Sequence, residues 1–161
     1  MVLQNISFDE SDAVKNLYVV YRIRADDLIP QTVTAELGIH PTVAYQKGEK
    51  FIGKKYDPKA KKDIEVIRGR PFSVWDVNSE SQQGLRRVTD HIMYLLDILE
   101  PHSEQIQRYL NQNEKYIISF YVRWEPHGEH GSYVIPGELL KRMGNLCHFV
   151  EFSFIGTFET D

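Results

Sequence analysis

The sequence predicts an α+β fold, with helices packed on one face of a mainly antiparallel sheet, and three observations carry that prediction. The chain nearly repeats itself. Ile29-Pro30 opens a segment that closes on Leu37-Gly38, and Ile135-Pro136 opens another that closes on Met143-Gly144, each spanning eight positions from Pro to Gly. Strand-like runs flank both segments, and the run before each ends on an apolar residue followed by Arg, Ile23-Arg24 and Val122-Arg123. Between the copies, Leu85, Val88, Ile92, Leu95, Leu96 and Leu99 recur at three- and four-residue steps, the signature of a helix with one apolar face.

In chain order, Leu17, Val19, Tyr21 and Ile23 alternate with Tyr18, Val20, Arg22 and Arg24, the two-residue period of a strand. Asp26-Asp27 ends it. Pro30 suits the first position of a helix, where its missing N–H costs nothing, and Gly38 suits the position past the last turn that needs positive φ. Val33 and Leu37 face inward. Pro41 pushes His40 out of the helical region, so Pro41 to Gln46 runs extended. The stretch 47–70 holds Gly48, Gly53, Pro58 and Gly69, shows no sustained period, and reads as a long loop.

Phe72 to Val77 is a further strand, placed to be the return arm of a long hairpin. The central helix follows, with Ser79 and Gln82, or Ser81, as its cap. Pro101 ends that helix and begins a second, whose inner side is Ile106, Tyr109 and Leu110. Tyr116 to Trp124 alternates again, Pro136 to Met143 is the helix of the second copy, and Phe149 to Phe158 is the closing strand. Residues 1–16, rich in Asp, Glu, Ser and Asn, read as a partly ordered lead-in to a single domain over 17–161. A ferredoxin-like arrangement of duplicated strand–helix–strand units satisfies this order.

Composition bounds the function. The 161 residues suffice for a real core, and 42% hydrophobic with 26% charged residues is ordinary for a soluble globular protein. Cys147 is the single cysteine, so no internal disulfide forms, and its neighbours Leu146, Phe149 and Val150 mark it as a buried small residue rather than an activated thiol. No basic region precedes an apolar stretch at the N-terminus and no apolar run approaches a membrane span, which makes the cytoplasm the expected location. The net charge of −4 hides an asymmetry: 47–70 carries nine Lys/Arg against four Asp/Glu, a local +5, which leaves −9 elsewhere.

The residues Ala25-Asp26-Asp27-Leu28-Ile29-Pro30, Leu37-Gly38-Ile39-His40-Pro41-Thr42 and Lys47-Gly48, then Ser73-Val74-Trp75 and the Leu95-Leu96 helix ending in Glu100-Pro101, carry a resemblance. From Leu17 onward the chain resembles a bacterial family of uncharacterised proteins, the DUF4279-like domain of unknown function. The resemblance implies a fold and no reaction. The basic loop is where this chain departs from the family pattern.

Four constellations bear on chemistry. If Val19, Tyr21 and Ile23 face the helices, Arg22 and Arg24 lie on the opposite face of the sheet, and the repeat predicts that Arg24 and Arg123 approach each other, joined by Tyr121, Glu151 and Ser153. Such arginines clamp a carboxylate or phosphate, although cross-strand pairing with glutamates is the commoner use. His127, Glu129 and His130 are metal-like in type, but they lie on one polar loop with no second cluster to complete a coordination shell. Phe51, Tyr56 and the lysines of the basic stretch offer stacking and phosphate contacts, against which stands the acidic whole. Asp90-His91 reads as a surface pair on the central helix. No Gly-rich phosphate loop and no Ser/His/Asp set stands out.

The residues therefore point to a small binding module, without cofactor or membrane partner, that contacts another protein through its sheet face or basic loop or pairs with itself through an exposed strand edge. The alternative is a binder or enzyme for a small anionic ligand using Arg24, Arg123 and the His127–His130 loop. Nucleic acid ranks below both.

Overall fold

The computed structural model describes residues 14–127 and 132–154, and among them seven strands and four helices follow one another. β1 (Val14–Ala25) is the central strand of a five-stranded sheet, with Val19, Tyr21 and Ile23 fully buried on one side. α1 (Pro30–Leu37) starts with Pro30 in its first turn and ends on Gly38, which adopts φ 66° and returns its N–H to the Thr34 carbonyl at 2.8 Å. That is the helix stop the sequence predicts. β2 (Val43–Tyr45) is a short edge strand, and β5 (Ser73–Asn78) lies between it and β1.

α2 (Val88–Leu99) passes through a 3-10 turn at Glu100–His102 into α3 (Ser103–Leu110), with Pro101 at the joint. β6 (Ile117–Pro126), α4 (Gly137–Gly144) and β7 (Phe149–Phe154) complete the described chain. The sheet order is β2-β5-β1-β6-β7; every pairing is antiparallel except β6 with β7.

One apolar cluster joins the sheet to all four helices. Val19, Tyr21, Ile23, Trp75, Val77, Ile118, Phe120, Val122 and Trp124 meet Val33 and Leu37 of α1, Ile92, Leu95, Leu96 and Leu99 of α2, Ile106 of α3, and Leu139 and Met143 of α4. Each large side chain fully removed from water here contributes about 1.5–3 kcal/mol. Two of the polar tips inside the cluster are satisfied, whereas Trp124 Nε1 is buried without a hydrogen-bond partner among the described residues. Trp75 Nε1 donates to Thr34 Oγ1 at 3.1 Å, fastening β5 to α1, and the Tyr21 hydroxyl donates to the Leu146 carbonyl at 2.9 Å, fastening β1 to the turn after α4. The other face of the sheet contributes nothing to this cluster.

Several boundaries differ from the sequence expectation. The stretch 47–70 is a hairpin rather than a loop: β3 (Lys50–Asp57) pairs with β4 (Lys62–Gly69) as a separate two-stranded sheet, rooted by Arg70 between the rings of Tyr45 and Phe51, its guanidinium 4.1 and 4.0 Å from their centroids. α2 begins at Val88, not near Ser79. Gly84 turns the chain at φ 87°, and Asp90 caps the helix by accepting the Arg87 N–H at 3.1 Å. In the second copy Pro136 precedes α4 instead of opening it, and Gly144 is helical where Gly38 is left-handed. Val14, Lys15 and Asn16 already belong to β1, while the rest of the expected lead-in and residues 155–158 of the expected closing strand lie outside the described residues.

Candidate functional site

The uncovered face of the sheet gathers the residues that the alternation marked. Register places Arg22 on β1 between Asp76 on β5 and Ser119 on β6. In the next row Val20 lies between Asn78 and Tyr121, and Tyr121 lies beside Glu151 on β7. In the row after that Tyr18 faces Arg123, which lies beside Ser153. Arg22, Tyr121, Arg123 and Glu151, with Tyr18 among them, thus occupy three successive rows of one surface.

Its arginines are already engaged. Arg22 binds Asp76 through two parallel hydrogen bonds, Nε to Oδ1 at 2.9 Å and Nη2 to Oδ2 at 2.7 Å, the bidentate geometry that suits guanidinium and carboxylate. Asp76 is 2% exposed, and burial pushes its carboxyl above the ordinary range more than Arg22 draws it down. Arg123 Nη2 donates to Glu125 at 3.2 Å. A hydrogen bond with Tyr121 and then the Glu125 carboxylate raise the Arg123 pKa further. Burial raises the Tyr18 hydroxyl, with Tyr121 and Glu80 adding to it, which marks these side chains as neighbours across the face. The surface is a polar, Tyr- and Arg-bearing plane whose charges largely neutralise one another.

Arg24 and Arg123 do not meet. Arg24 pairs with Ile117 and Arg123 with Tyr18, so six residues of β1 separate them, about 20 Å at strand spacing. The two copies run antiparallel through β1 and β6, and equivalent positions therefore diverge to opposite ends. Arg24 instead lies 5.0 Å over the Phe72 ring and lines a cleft of 550 Å³ with Asp26, Asp27, Phe72, Lys115 and Ile117. Lys115 is paired with Asp27 at 3.2 Å, and among the described residues no carboxylate lies within ion-pair distance of Arg24.

His127 is exposed at the end of β6; Glu129 and His130 lie outside the described residues. Among the described residues no three His, Cys, Asp or Glu side chains come together in a metal-holding group. Cys147 is buried, which pushes its thiol up to about 11. No described helix is long and apolar enough to cross a membrane.

The sequence reading misplaced two buried polar residues, taking Ser79 for a helix cap and His91 for a surface residue. His91 is 3% exposed, not on the helix surface, and its Nδ1 lies 2.8 Å from Ser79 Oγ. Ser79 in turn accepts the Val19 N–H at 2.9 Å. The signal was present, since His91 stands three residues after Val88 on the inward stripe. Ser79 is fully enclosed and its hydroxyl serves the β1 backbone, so the pair fastens α2 to the sheet rather than forming a nucleophile.

The molecule is thus an α+β protein whose sheet is covered by helices on one face and carries none on the other. It belongs to the family described as a domain of unknown function (DUF4279), whose sequence model matches residues 15–155. No curated protein and no solved structure gives a significant match.

Proposed function

We propose that this chain is a protein-interaction module that receives its partner on the open face of the sheet, around Tyr18, Tyr121, Arg123 and Glu151. The observation that supports this reading most is the engagement of Arg22 by Asp76 and of Arg123 by Glu125 on a face with no helix above it. An anion would have to displace those carboxylates. A protein surface instead gains from a pre-ordered plane of Tyr and Arg, the residue types that dominate binding hot spots. Placing a photo-crosslinking residue at Tyr121 in cells, with one at exposed Glu104 on α3 as control, tests it. A defined protein adduct from position 121 alone supports the reading, whereas equal or absent adducts at both positions sink it.

A second reading, binding of a small anionic ligand, is favoured by the 550 Å³ cleft in which Arg24 and Lys115 come together. Thermal shift with phosphate and citrate separates it, because stabilisation of wild type that disappears in Arg24→Ala would favour the cleft over the face. For the scaffold, the same reading takes the fold as a ferredoxin-like duplication. Support comes from the strand–helix–strand series β1-α1-β2 and β6-α4-β7 lying on either side of the β1–β6 pair, with β5 intercalated in the first.

A further inference from the structure

Every exposed phenylalanine of the described chain lies on β7: Phe149, Phe152 and Phe154 are 44, 40 and 59% exposed. β7 is also the last strand of the sheet, so among the described residues nothing pairs with its outer backbone edge. Proteins ordinarily guard such an edge with a lysine, a proline, a bulge or a very short strand. The opposite edge follows that rule, because β2 is three residues long. β7 has six residues, Phe149-Val150-Glu151-Phe152-Ser153-Phe154, with no lysine, proline or bulge, a single charge at Glu151 and an unbroken register against β6.

The edge is self-complementary. Val150, Phe152 and Phe154 pair with Phe120, Val122 and Trp124 and so share the helix-covered face, whereas Phe149, Glu151 and Ser153 share the open one. Two β7 strands related by a two-fold axis normal to the sheet keep these faces aligned only in alternate registers. Centring the axis on Glu151 sets two carboxylates side by side. Centring it on Phe152 sets Phe152 beside its copy, Val150 beside Phe154, and Glu151 beside Ser153, which removes the repulsion and forms an aromatic cross-strand pair.

That register also supplies charge complementarity. Ser153 is flanked on β6 by Arg123, which holds Glu125 through Nη2 while its Nε makes no hydrogen bond among the described residues, so a second carboxylate would share this guanidinium with Glu125. Glu151 of a second copy would stand two strand spacings from Arg123, about 10 Å between backbones and within reach of the two side chains. Tyr133, stacked on Phe154 with centroids 5.7 Å apart, and Trp124 behind it widen the apolar contact beyond the strand itself.

We propose that two copies of this chain pair antiparallel along β7 about Phe152, making one continuous ten-stranded sheet in which Glu151 of each copy answers Arg123 of the other. This goes beyond the partner reading and rests on the unpaired β7 edge rather than on the helix-free face, of which it draws in only Arg123 and Glu151. Sedimentation velocity of the full chain over a concentration series tests it. Wild type is expected to dimerise. Phe152→Lys, which sets like charges on the axis, is expected to sediment as a monomer with an unchanged far-UV spectrum.

Should that variant fail to fold, Ser153→Glu tests the register on the surface. It places Glu opposite Glu151 twice, weakening the dimer about tenfold or more, and Glu151→Lys combined with Ser153→Glu restores it. A wild type that stays monomeric at high micromolar concentration, or a double variant no tighter than Ser153→Glu alone, overturns the proposal.

Discussion

Ser79 and His91, twelve residues apart in sequence, meet in the interior with 2.8 Å between Oγ and Nδ1, and the contact ties the first turn of α2 to the backbone of β1 at Val19. Burial disfavours the charged ring and lowers the His91 pKa. Because the folded form binds its proton less readily, the unfolded chain takes up protons first as pH falls below about 6.5, and stability declines through that range by at most about 1.4 kcal/mol per pH unit. Urea unfolding at pH 7.5 and 5.5 measures the decline. His91→Asn, whose side-chain amide can still hydrogen-bond Ser79 and does not titrate, is expected to flatten it.

Asp76 and Arg22 form a second polar contact, buried on the Asp76 side. Asp76→Ala strands a guanidinium against the sheet and is expected to cost about 2–3 kcal/mol, less than a fully buried pair because water reaches Arg22. Arg22→Met combined with Asp76→Leu is expected to recover most of that loss in chemical denaturation. A double variant as unstable as Asp76→Ala would assign the loss to packing instead.

Tyr21→Phe tests the link between the two ends of the chain. It leaves the Leu146 carbonyl without its buried donor while keeping the ring edge-on to Phe120, centroids 5.0 Å apart. A loss of about 1–2 kcal/mol follows from the orphaned acceptor, lowering the melting temperature by several degrees.

The near-repeat predicts opposite outcomes at its two glycines. Gly38→Ala puts a side chain at φ 66° and is expected to cost about 1 kcal/mol or slightly more. Gly144→Ala, in helical backbone with open space where the Cβ would go, is expected to stabilise by up to about 0.5–1 kcal/mol. Melting curves of the pair decide it.

Cys147 provides a probe of the core. With its thiol pushed up to about 11, alkylation at pH 8 is expected to be slow in the native protein and fast in urea. Rapid native alkylation would show that the turn after α4 opens readily.

Much of the fold was legible because burial imprints a period. Val19, Tyr21 and Ile23, or Val88, Ile92, Leu95 and Leu99, announce their element by repeatedly facing one core. The β3–β4 hairpin lacked that imprint. Ile52 and Ile67 face each other at 69 and 74% exposure, while Phe51 and Val66 are only half-buried on the other side, so neither face repeats a clean apolar pattern. The open-face residues Arg22, Tyr121, Arg123 and Glu151 were readable from alternation alone. Arg24 was misplaced beside Arg123 because equivalence within a repeat says nothing of strand direction. Asp76 was invisible as the partner of Arg22, since only the register of β5 against β1 brings them together.

The position of β1 also sets a timetable for assembly. Its neighbours are supplied late: Ile23 pairs with Trp75 on one side and with Ile118, 95 residues downstream, on the other. At about 5–20 residues per second of synthesis, the strand waits several seconds with Val19, Tyr21 and Ile23 uncovered. A nascent chain paused before β6 would therefore present the central strand of its sheet, with its apolar side uncovered, to chaperones, and the final collapse must await closure of a long loop.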